Sequence, residues 1–180
     1  SPLMARIAAF IAPAAVAPVV WPSLNVLPII SSGVIITPSI IYSLQTNGTL
    51  LDNEWVQFFK DNDFLIGLSL DGYKENHDYF RITNQNTDTY KRVLNALSLL
   101  RKYDVTFNVL TVLTDPLAKH PQKLYNFYKE LGLTHVQLIP CLPELSSISH
   151  FFALTPKRFA SFYKTFYDLW LNDFKQGNYL

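Results

Sequence analysis

The sequence predicts an α/β fold with parallel strands, preceded by an N-terminal segment of atypical composition. From residue 41 onward, short apolar segments alternate with amphipathic helical segments, an order that is typical of β-α-β units. The 180 residues are 49% hydrophobic and 16% charged, which provides enough apolar material for one domain with a core. Residues 1–40 follow neither the alternation nor the charge content of the rest.

The N-terminal segment, residues 1–40, is apolar and rich in proline. Arg6 is its only charged residue, and six of the eleven prolines fall within it. A membrane-spanning helix needs about 20 apolar residues, and each proline in a helix interior costs about 3 kcal/mol. We therefore predict a proline-broken apolar segment over 1–40 and a domain over 41–180, without membrane association. A signal peptide that ends near Ala17 is the alternative interpretation.

Charge and cysteine content exclude several classes of function. The net charge is +1, and no basic stripe or recognition motif is evident, so binding to nucleic acid has no support. Cys141 is the single cysteine. One thiol forms no internal disulfide and holds no metal cluster alone. This cysteine content fits a reducing, cytoplasmic location.

Four strands and four helices are predicted in order along residues 41–180. Local boundary signals support the helices, since Asp52 is placed to cap the first, Gly132 ends the third and Thr155 begins the fourth. Residues 64–70 form a continuous apolar run, which is typical of a strand covered on both faces. The predicted strands are 41–44, 64–70, 106–113 and 135–139. The predicted helices are 52–60, 89–103, 121–131 and 155–174.

Polar residues gather where three of the predicted strands end, at 45–48, 69–81 and 140–144. Ligands of parallel sheets bind beyond the carboxyl ends of the strands, so these clusters predict a pocket at one edge of the sheet. Arg81 supplies a guanidinium, which holds carboxylates well. Simpler interpretations exist for two members: Asp71 with the glycine after it forms an ordinary turn, and His77 is a surface residue.

Five segments of the chain together carry a resemblance to a known family. They occur in order and at matching spacing from about residue 42 to the end: "SLQTNGTLLDNEWVQFFKDNDFLIGLSLDG" at 43–72, "HDYFR" at 77–81, "FNVLTVLTDPLAKHP" at 107–121, "HVQLIPCLPE" at 135–144 and "LTPKRFASFYKTFYDLWLNDFKQGNY" at 154–179. In these segments the sequence resembles the middle of the anaerobic sulfatase-maturating enzymes, which belong to the radical S-adenosylmethionine (SAM) superfamily.

The resemblance implies a fold, two cofactors and a set of site residues. The fold is a partial (β/α) barrel, which in this family holds a four-iron, four-sulfur cluster and SAM at its open mouth. The family's reaction oxidises a Cys or Ser of a sulfatase to formylglycine, so a sulfatase is the implied partner. By resemblance, Ser69, Arg81 and Leu142 contact SAM, and Asn47 and Asp71 shape the same mouth.

Two motifs on which the family's chemistry depends are missing from the 180 residues. One is a CxxxCxxC loop, whose three thiolates hold three irons and leave the fourth iron open for SAM. The other is a glycine-rich GGEP stretch that meets the methionine part of SAM. Residues 1–40 do not match the family's first barrel strands, and we expect its cysteine-rich C-terminal domain to be absent.

These observations predict a truncated, inactive remnant of a sulfatase-maturating enzyme, with no metal ligand and no catalytic residue. Two alternatives stay open, so the sequence does not decide whether the chain is an enzyme. The first is a binding or regulatory module that retains a nucleotide- or sulfatase-recognising surface. The second is a working maturase that takes its cluster ligands from a partner chain. For the remnant, the open edges of a partial barrel favour self-association.

Overall fold

The structure, a computed structural model, describes residues 42–83, 85, 87–143 and 151–178. The predicted N-terminal segment, 1–40, and the last residue of the polar cluster at 140–144 lie outside the described residues. Four strands form one parallel sheet in the order β1-β2-β3-β4. This confirms the predicted α/β fold with parallel strands. The strands are β1 (Tyr42–Thr46), β2 (Phe64–Ser69), β3 (Phe107–Leu113) and β4 (Val136–Pro140).

Six helices lie in the described part of the chain, and four of them match the predicted ones within a few residues. The two short helices α2 and α4 were not predicted. The sequence of α2 is polar and buries only His77, so it lacks an apolar period that would signal a helix. The helices are α1 (Asn53–Asp61), α2 (Lys74–Phe80), α3 (Tyr90–Lys102), α4 (Asp115–Ala118), α5 (Pro121–Glu130) and α6 (Pro156–Lys175).

The predicted helix boundaries correspond to real caps. The side chains of Asp52 and Thr155 each accept a hydrogen bond from a backbone N–H in the first turn of α1 and α6, which satisfies a donor that the helix leaves unpaired. After α5, Gly132 has a φ of +60°. The Leu133 N–H donates to the Tyr128 carbonyl at 2.9 Å, as in a Schellman motif. These short-range signals are why α1, α5 and α6 were predictable.

One face of the sheet is covered by the described helices. Ile66 and Leu68 are fully buried and Phe64 is 4% exposed, and they belong to the same apolar cluster as Phe59 of α1 and Leu97 of α3. The burial of these side chains, at about 2 kcal/mol each, is the main stabilising contribution. Because side chains alternate along a strand, this cluster takes every second residue of each strand.

The opposite face, which we call the open face, carries the remaining strand residues. Leu65 on this face is 36% exposed, so the prediction that residues 64–70 are covered on both faces is wrong for the described part of the chain. Leu110 lies over Gly67 and is only 4% exposed. The open face consists of Ser43, Gln45, Leu65, Gly67, Ser69, Asn108, Leu110, Val112, Gln137 and Ile139.

Two connections at the carboxyl edge of the sheet position the site. β1 extends to Thr46, so Gln45 and Thr46 belong to the strand and not to the loop after it, where they were predicted. Between α2 and α3 the chain makes a short hairpin in which Ile82 and Asp88 pair as an antiparallel bridge.

None of the helices in the described residues has both the length and the apolar character that crossing a bilayer requires.

Candidate functional site

Asp71 lies just past the end of β2, and its carboxylate is almost fully buried, with 3% of the residue exposed. One oxygen, Oδ2, accepts a hydrogen bond from Arg81 Nε at 2.6 Å. The other, Oδ1, accepts from the Val112 N–H at 2.8 Å. The chain does turn at Gly72, where φ is +70°, but the ordinary-turn interpretation is incomplete. The Asp71 carboxylate joins the ends of β2, β3 and α2.

Arg81 follows α2 and is held by Asp71 along one edge of its guanidinium. Besides the Nε contact, Nη2 lies 3.4 Å from Asp71 Oδ1. The Arg81 side chain is 29% exposed, against 5% for that of Asp71. The carboxylate that Arg81 holds is therefore the chain's own. A guanidinium carries five N–H donors, and the pair with Asp71 uses one on Nε and one on Nη2, so the two Nη atoms keep further donors besides these.

His77 of α2 is fully buried, so the prediction of a surface residue is wrong. The Asp71 N–H donates to His77 Nδ1 at 3.1 Å, so Nδ1 carries no proton and the neutral ring has its proton on Nε2. Nε2 lies 3.1 Å from Thr89 Oγ1. Burial is the main cause that lowers the pKa of His77, and the charge of Arg81 adds to it, while Asp71 opposes it. The ring is therefore neutral at pH 7.

Asp78 of α2 joins this helix to the start of α3. Its Oδ1 accepts hydrogen bonds from the N–H groups of Thr89 and Tyr90, at 3.1 and 2.8 Å. Its Oδ2 accepts from Lys74 Nζ at 2.7 Å. Burial opposes ionisation here, but these hydrogen bonds outweigh it and hold the pKa of Asp78 below its usual value. Asp78 thus caps α3 from another helix, in the position where a helix N-terminus favours negative charge.

The other three predicted site residues lie at the same edge of the sheet. Ser69 is the last residue of β2 and is half-buried on the open face. Asn47 is exposed just after β1, and its side chain accepts hydrogen bonds from Thr49. Leu142 follows β4 and is 73% exposed. Of the five predicted residues, the structure joins Asp71 and Arg81 by direct hydrogen bonds, and it places Ser69 at the end of β2 and Asn47 and Leu142 just beyond the ends of β1 and β4.

Comparison with known proteins decides the family. The model of the radical SAM superfamily matches residues 23–138. The chain belongs to the radical SAM superfamily. The match begins inside the segment 1–40 that the composition sets apart.

Within the superfamily, this chain is related to the anaerobic sulfatase-maturating enzymes. A cysteine-type enzyme of Clostridium novyi is 37% identical over 79% of this chain and 38% of its own length. A cysteine-type enzyme of Clostridium perfringens is 42% identical over 76% and 37%. A serine-type enzyme of Bacteroides thetaiotaomicron is 31% identical over 72% and 35%. The chain spans less than two fifths of the length of these relatives.

Solved structures confirm the partial barrel. A structure described as native anSMEcpe with bound AdoMet (another abbreviation for SAM) and Kp18Cys peptide aligns with a TM-score of 0.74 at 41% identity. The alignment covers 77% of this radical SAM chain and 39% of that one. The four parallel strands with helices on one face are therefore similar to part of the barrel of that enzyme.

The residues of this chain fit the two cofactors of the superfamily differently. For SAM, the site offers a partly exposed guanidinium, a hydroxyl at a strand end and an exposed apolar side chain, which suit a carboxylate, polar groups and an adenine ring. For the cluster, three thiolates are needed, and the 180 residues contain one cysteine. Among the described residues, no three His, Cys, Asp or Glu side chains are grouped so that they would hold a metal ion. The cluster does not fit these residues.

Proposed function

We propose that this chain is a SAM-binding section of a sulfatase-maturating barrel and that its 180 residues do not cleave SAM by themselves. The observation that carries the proposal is the pair of Asp71 and Arg81 at the carboxyl edge of the sheet. The pair fixes a guanidinium where parallel α/β folds bind their ligands.

Arg81 would bind the carboxylate of the methionine part of SAM. Its Nε faces Asp71 at 2.6 Å, which orients the plane of the guanidinium, and its remaining Nη end matches a second carboxylate in shape and charge. Ser69 would donate or accept a hydrogen bond from the open face, and Leu142 would cover the adenine. Asn47 would complete the mouth next to β1. Asp71 itself has both oxygens occupied, so it supports the site through Arg81.

The second part of the proposal rests on the cysteine inventory. Radical SAM enzymes cleave SAM with an electron that a cluster delivers, and three cysteine thiolates hold that cluster. Cys141 is the single cysteine. Burial raises the pKa of its thiol, which disfavours the thiolate form that binds a metal. No step of the reaction is therefore assigned to these residues.

The test combines calorimetry with anaerobic reconstitution. Protein treated with iron and sulfide without oxygen would be assayed for bound iron, for SAM binding and for SAM cleavage. Binding by the wild-type chain, weakened about tenfold or more in Arg81→Ala, would support the SAM site. The control is Arg101→Ala, since Arg101 lies at the far end of α3 and contacts the backbone of Leu131 and Gly132. No binding by the wild-type chain would overturn the site, and stoichiometric iron with SAM cleavage would overturn the proposed inactivity.

A second candidate is a binding or regulatory module, and the same combination of residues favours it. A fixed guanidinium with no cluster ligands suits recognition better than catalysis. Such a module would bind SAM or a sulfatase peptide without chemistry. A cysteine-containing sulfatase peptide, titrated with and without SAM, separates the two candidates: peptide binding that is independent of SAM favours the module, and its absence favours the remnant.

Self-association is the remaining part of the proposal. In the described sheet, β1 and β4 each have one neighbour, and strands with an unpaired edge tend to pair with another chain. Light scattering over a range of protein concentrations tests this. A mass that rises with concentration would support pairing of copies, and a constant monomer mass would exclude it.

A further inference from the structure

We propose that His77 and Thr89 act together as positioning residues that fix Arg81 in place for its ligand. They form a hydrogen-bond chain that begins at the Asp71 N–H, passes through the His77 ring and the Thr89 hydroxyl, and ends at the Arg81 carbonyl. The effect on SAM affinity rests on the function proposed above. The effect on the position of Arg81 does not, and it is measured separately below.

The direction of the chain follows from its first hydrogen bond. The Asp71 N–H can only donate, so His77 Nδ1 accepts it and Nε2 bears the proton. Nε2 then donates to Thr89 Oγ1 at 3.1 Å. The Thr89 hydroxyl, whose oxygen has accepted that bond, donates its own proton to the Arg81 carbonyl at 2.5 Å. Each donor therefore has one acceptor, and hydrogen bonds linked in this way strengthen one another.

The chain closes into a ring at Arg81. The Arg81 side chain donates to the Asp71 carboxylate. The backbone N–H of Asp71 in turn donates to the His77 imidazole, where the series of hydrogen bonds begins. Arg81 is thus held at its guanidinium by Asp71 and at its carbonyl by Thr89. Its N–H also donates to the His77 carbonyl at 2.8 Å. Loss of the hydrogen bond from Thr89 would free the Arg81 carbonyl. The guanidinium of the same residue must keep its orientation toward the mouth to hold its ligand.

Thr89 occupies a position where its hydroxyl would ordinarily serve another purpose. It is the N-cap residue of α3, yet its side chain caps nothing there. Asp78 takes over that role by accepting from the N–H groups of Thr89 and Tyr90. The Thr89 hydroxyl is thereby released from capping and is directed at Arg81. A residue that served only the stability of α3 would cap it directly.

The hydrogen-bond chain is buried, so the loss of any one of its hydrogen bonds affects the groups beside it. His77 is 0% exposed and Thr89 is 7% exposed. The Tyr90 ring packs edge-on against the His77 ring at a centroid distance of 5.8 Å. Water has little access to replace a missing partner, so removing one link leaves a buried group unsatisfied and shifts the groups beside it.

The test uses two substitutions at Thr89 that differ in the hydroxyl. Thr89→Val keeps the shape and removes the hydroxyl, whereas Thr89→Ser keeps the hydroxyl. We expect Thr89→Val to weaken SAM binding by about tenfold, as the loss of a buried hydrogen bond would, and Thr89→Ser to stay within about twofold of the wild type. A role in stability alone would lower the unfolding midpoint of Thr89→Val without changing the affinity of the folded protein, and that outcome would overturn the proposal.

A spectroscopic measurement reads the position of Arg81 without any ligand. In nitrogen-15 NMR spectra of the full chain, the Arg81 Nε–H should give a downfield signal that exchanges slowly with water, because it donates to Asp71. We expect this signal to persist in Thr89→Ser and to broaden or exchange at least about tenfold faster in Thr89→Val, as expected when a buried hydrogen-bond network loses a link. An unchanged signal in Thr89→Val would overturn the positioning role, even if the wild-type chain binds no SAM.

A variant of His77 keeps the inference testable if Thr89→Val does not fold. His77→Asn retains an acceptor at the place of Nδ1, so the bond from the Asp71 N–H survives, and it removes the donor that reaches Thr89. We expect the Arg81 Nε–H signal to broaden or to exchange faster in this variant too, as in Thr89→Val. Retention of the signal and of SAM affinity in folded His77→Asn would show that the chain does not position Arg81.

Discussion

Replacing Asp71 by asparagine isolates the contribution of the buried ion pair. The substitution keeps the size of the side chain. Its amide oxygen still accepts from the Val112 N–H, which lies 2.8 Å from Asp71 Oδ1. The amide nitrogen then faces Arg81 Nε, which lies 2.6 Å from Oδ2 in the wild type. Two donors meet, and the guanidinium loses its counter-ion.

The expected loss of folding free energy is about 2 to 3 kcal/mol. A hydrogen bond to a charged partner contributes about 1.5 to 3 kcal/mol, and breaking a fully buried pair costs about 3 to 5 kcal/mol. The lower part of this span applies because the Arg81 side chain is 29% exposed and water offsets part of the loss. The Asp71 side chain is 5% exposed, so the loss is larger than for a surface pair.

Urea denaturation at neutral pH measures this loss, with Asp88→Asn as the matched control. Asp88 pairs with Lys74 at 3.0 Å, but the two side chains are 65% and 56% exposed, so we expect less than about 0.5 kcal/mol there. With a urea dependence of about 2 kcal/mol per molar, Asp71→Asn should lower the midpoint by about 1 M. A loss in Asp71→Asn no larger than that of Asp88→Asn would refute the structural role assigned to the pair.

Three further perturbations have defined outcomes in the same denaturation assay. Gly48→Ala should cost about 2 to 3 kcal/mol of folding free energy, because φ is +72° and a Cβ would lie 2.6 Å from a leucine side chain. The control is Gly177→Ala, which should cost about 1 kcal/mol, because φ is +76° and a Cβ would meet nothing within 4 Å. Equal losses in the two variants would contradict the packing argument. Burial lowers the pKa of His77, so the unfolded chain binds its proton more readily and stability should fall as the pH drops below about 6.5, with a smaller fall in His77→Asn; parallel pH profiles of the two proteins would contradict this. Tyr128 Oη donates to Thr111 Oγ1, which donates to the Leu70 carbonyl. Thr111→Val should cost about 2 to 4 kcal/mol of folding free energy, because it leaves the buried Tyr128 hydroxyl unpaired and removes one of the two hydrogen bonds that the Leu70 carbonyl accepts. Tyr128→Phe should cost only about 1 kcal/mol, and the reverse order would contradict the assigned directions.

The strands and long helices were predictable because short-range patterns encode them. The apolar run at 64–70 and the caps at Asp52 and Thr155 act over a few residues, and the structure places the corresponding elements there. The covering of a strand face does not have this local character. Leu65 has the same apolar character as its neighbours, but it points to the open face, and its exposure depends on which elements pack there.

The place of the candidate site at the carboxyl edge of the sheet was predictable, whereas its hydrogen-bond network was not. Asp71 and Arg81 were both expected at the carboxyl edge, whereas their hydrogen bond depends on α2, whose polar sequence gives no periodic signal. The roles of His77 and Thr89 depend on the hairpin that returns the chain from α2 to α3. A buried histidine in a polar helix has no distinct sequence pattern. The only signal that the sequence offered for His77 was its nearness to Arg81 along the chain. The contacts of Ser69, Arg81 and Leu142 with SAM, and the roles of Asn47 and Asp71 in shaping the mouth, stay predictions.

The hairpin between α2 and α3 has a practical consequence. Its base is fixed twice, by the bridge between Ile82 and Asp88 and by the Asp78 cap on α3, while Thr83 and Thr87 close the tip with their own hydrogen bonds. When the ends of a loop are already held together, each inserted residue raises the entropic cost of closing the loop by about a few tenths of a kcal/mol at most. A fluorescent or affinity peptide inserted between Thr83 and Thr87 would therefore report on the protein close to its mouth without unfolding it.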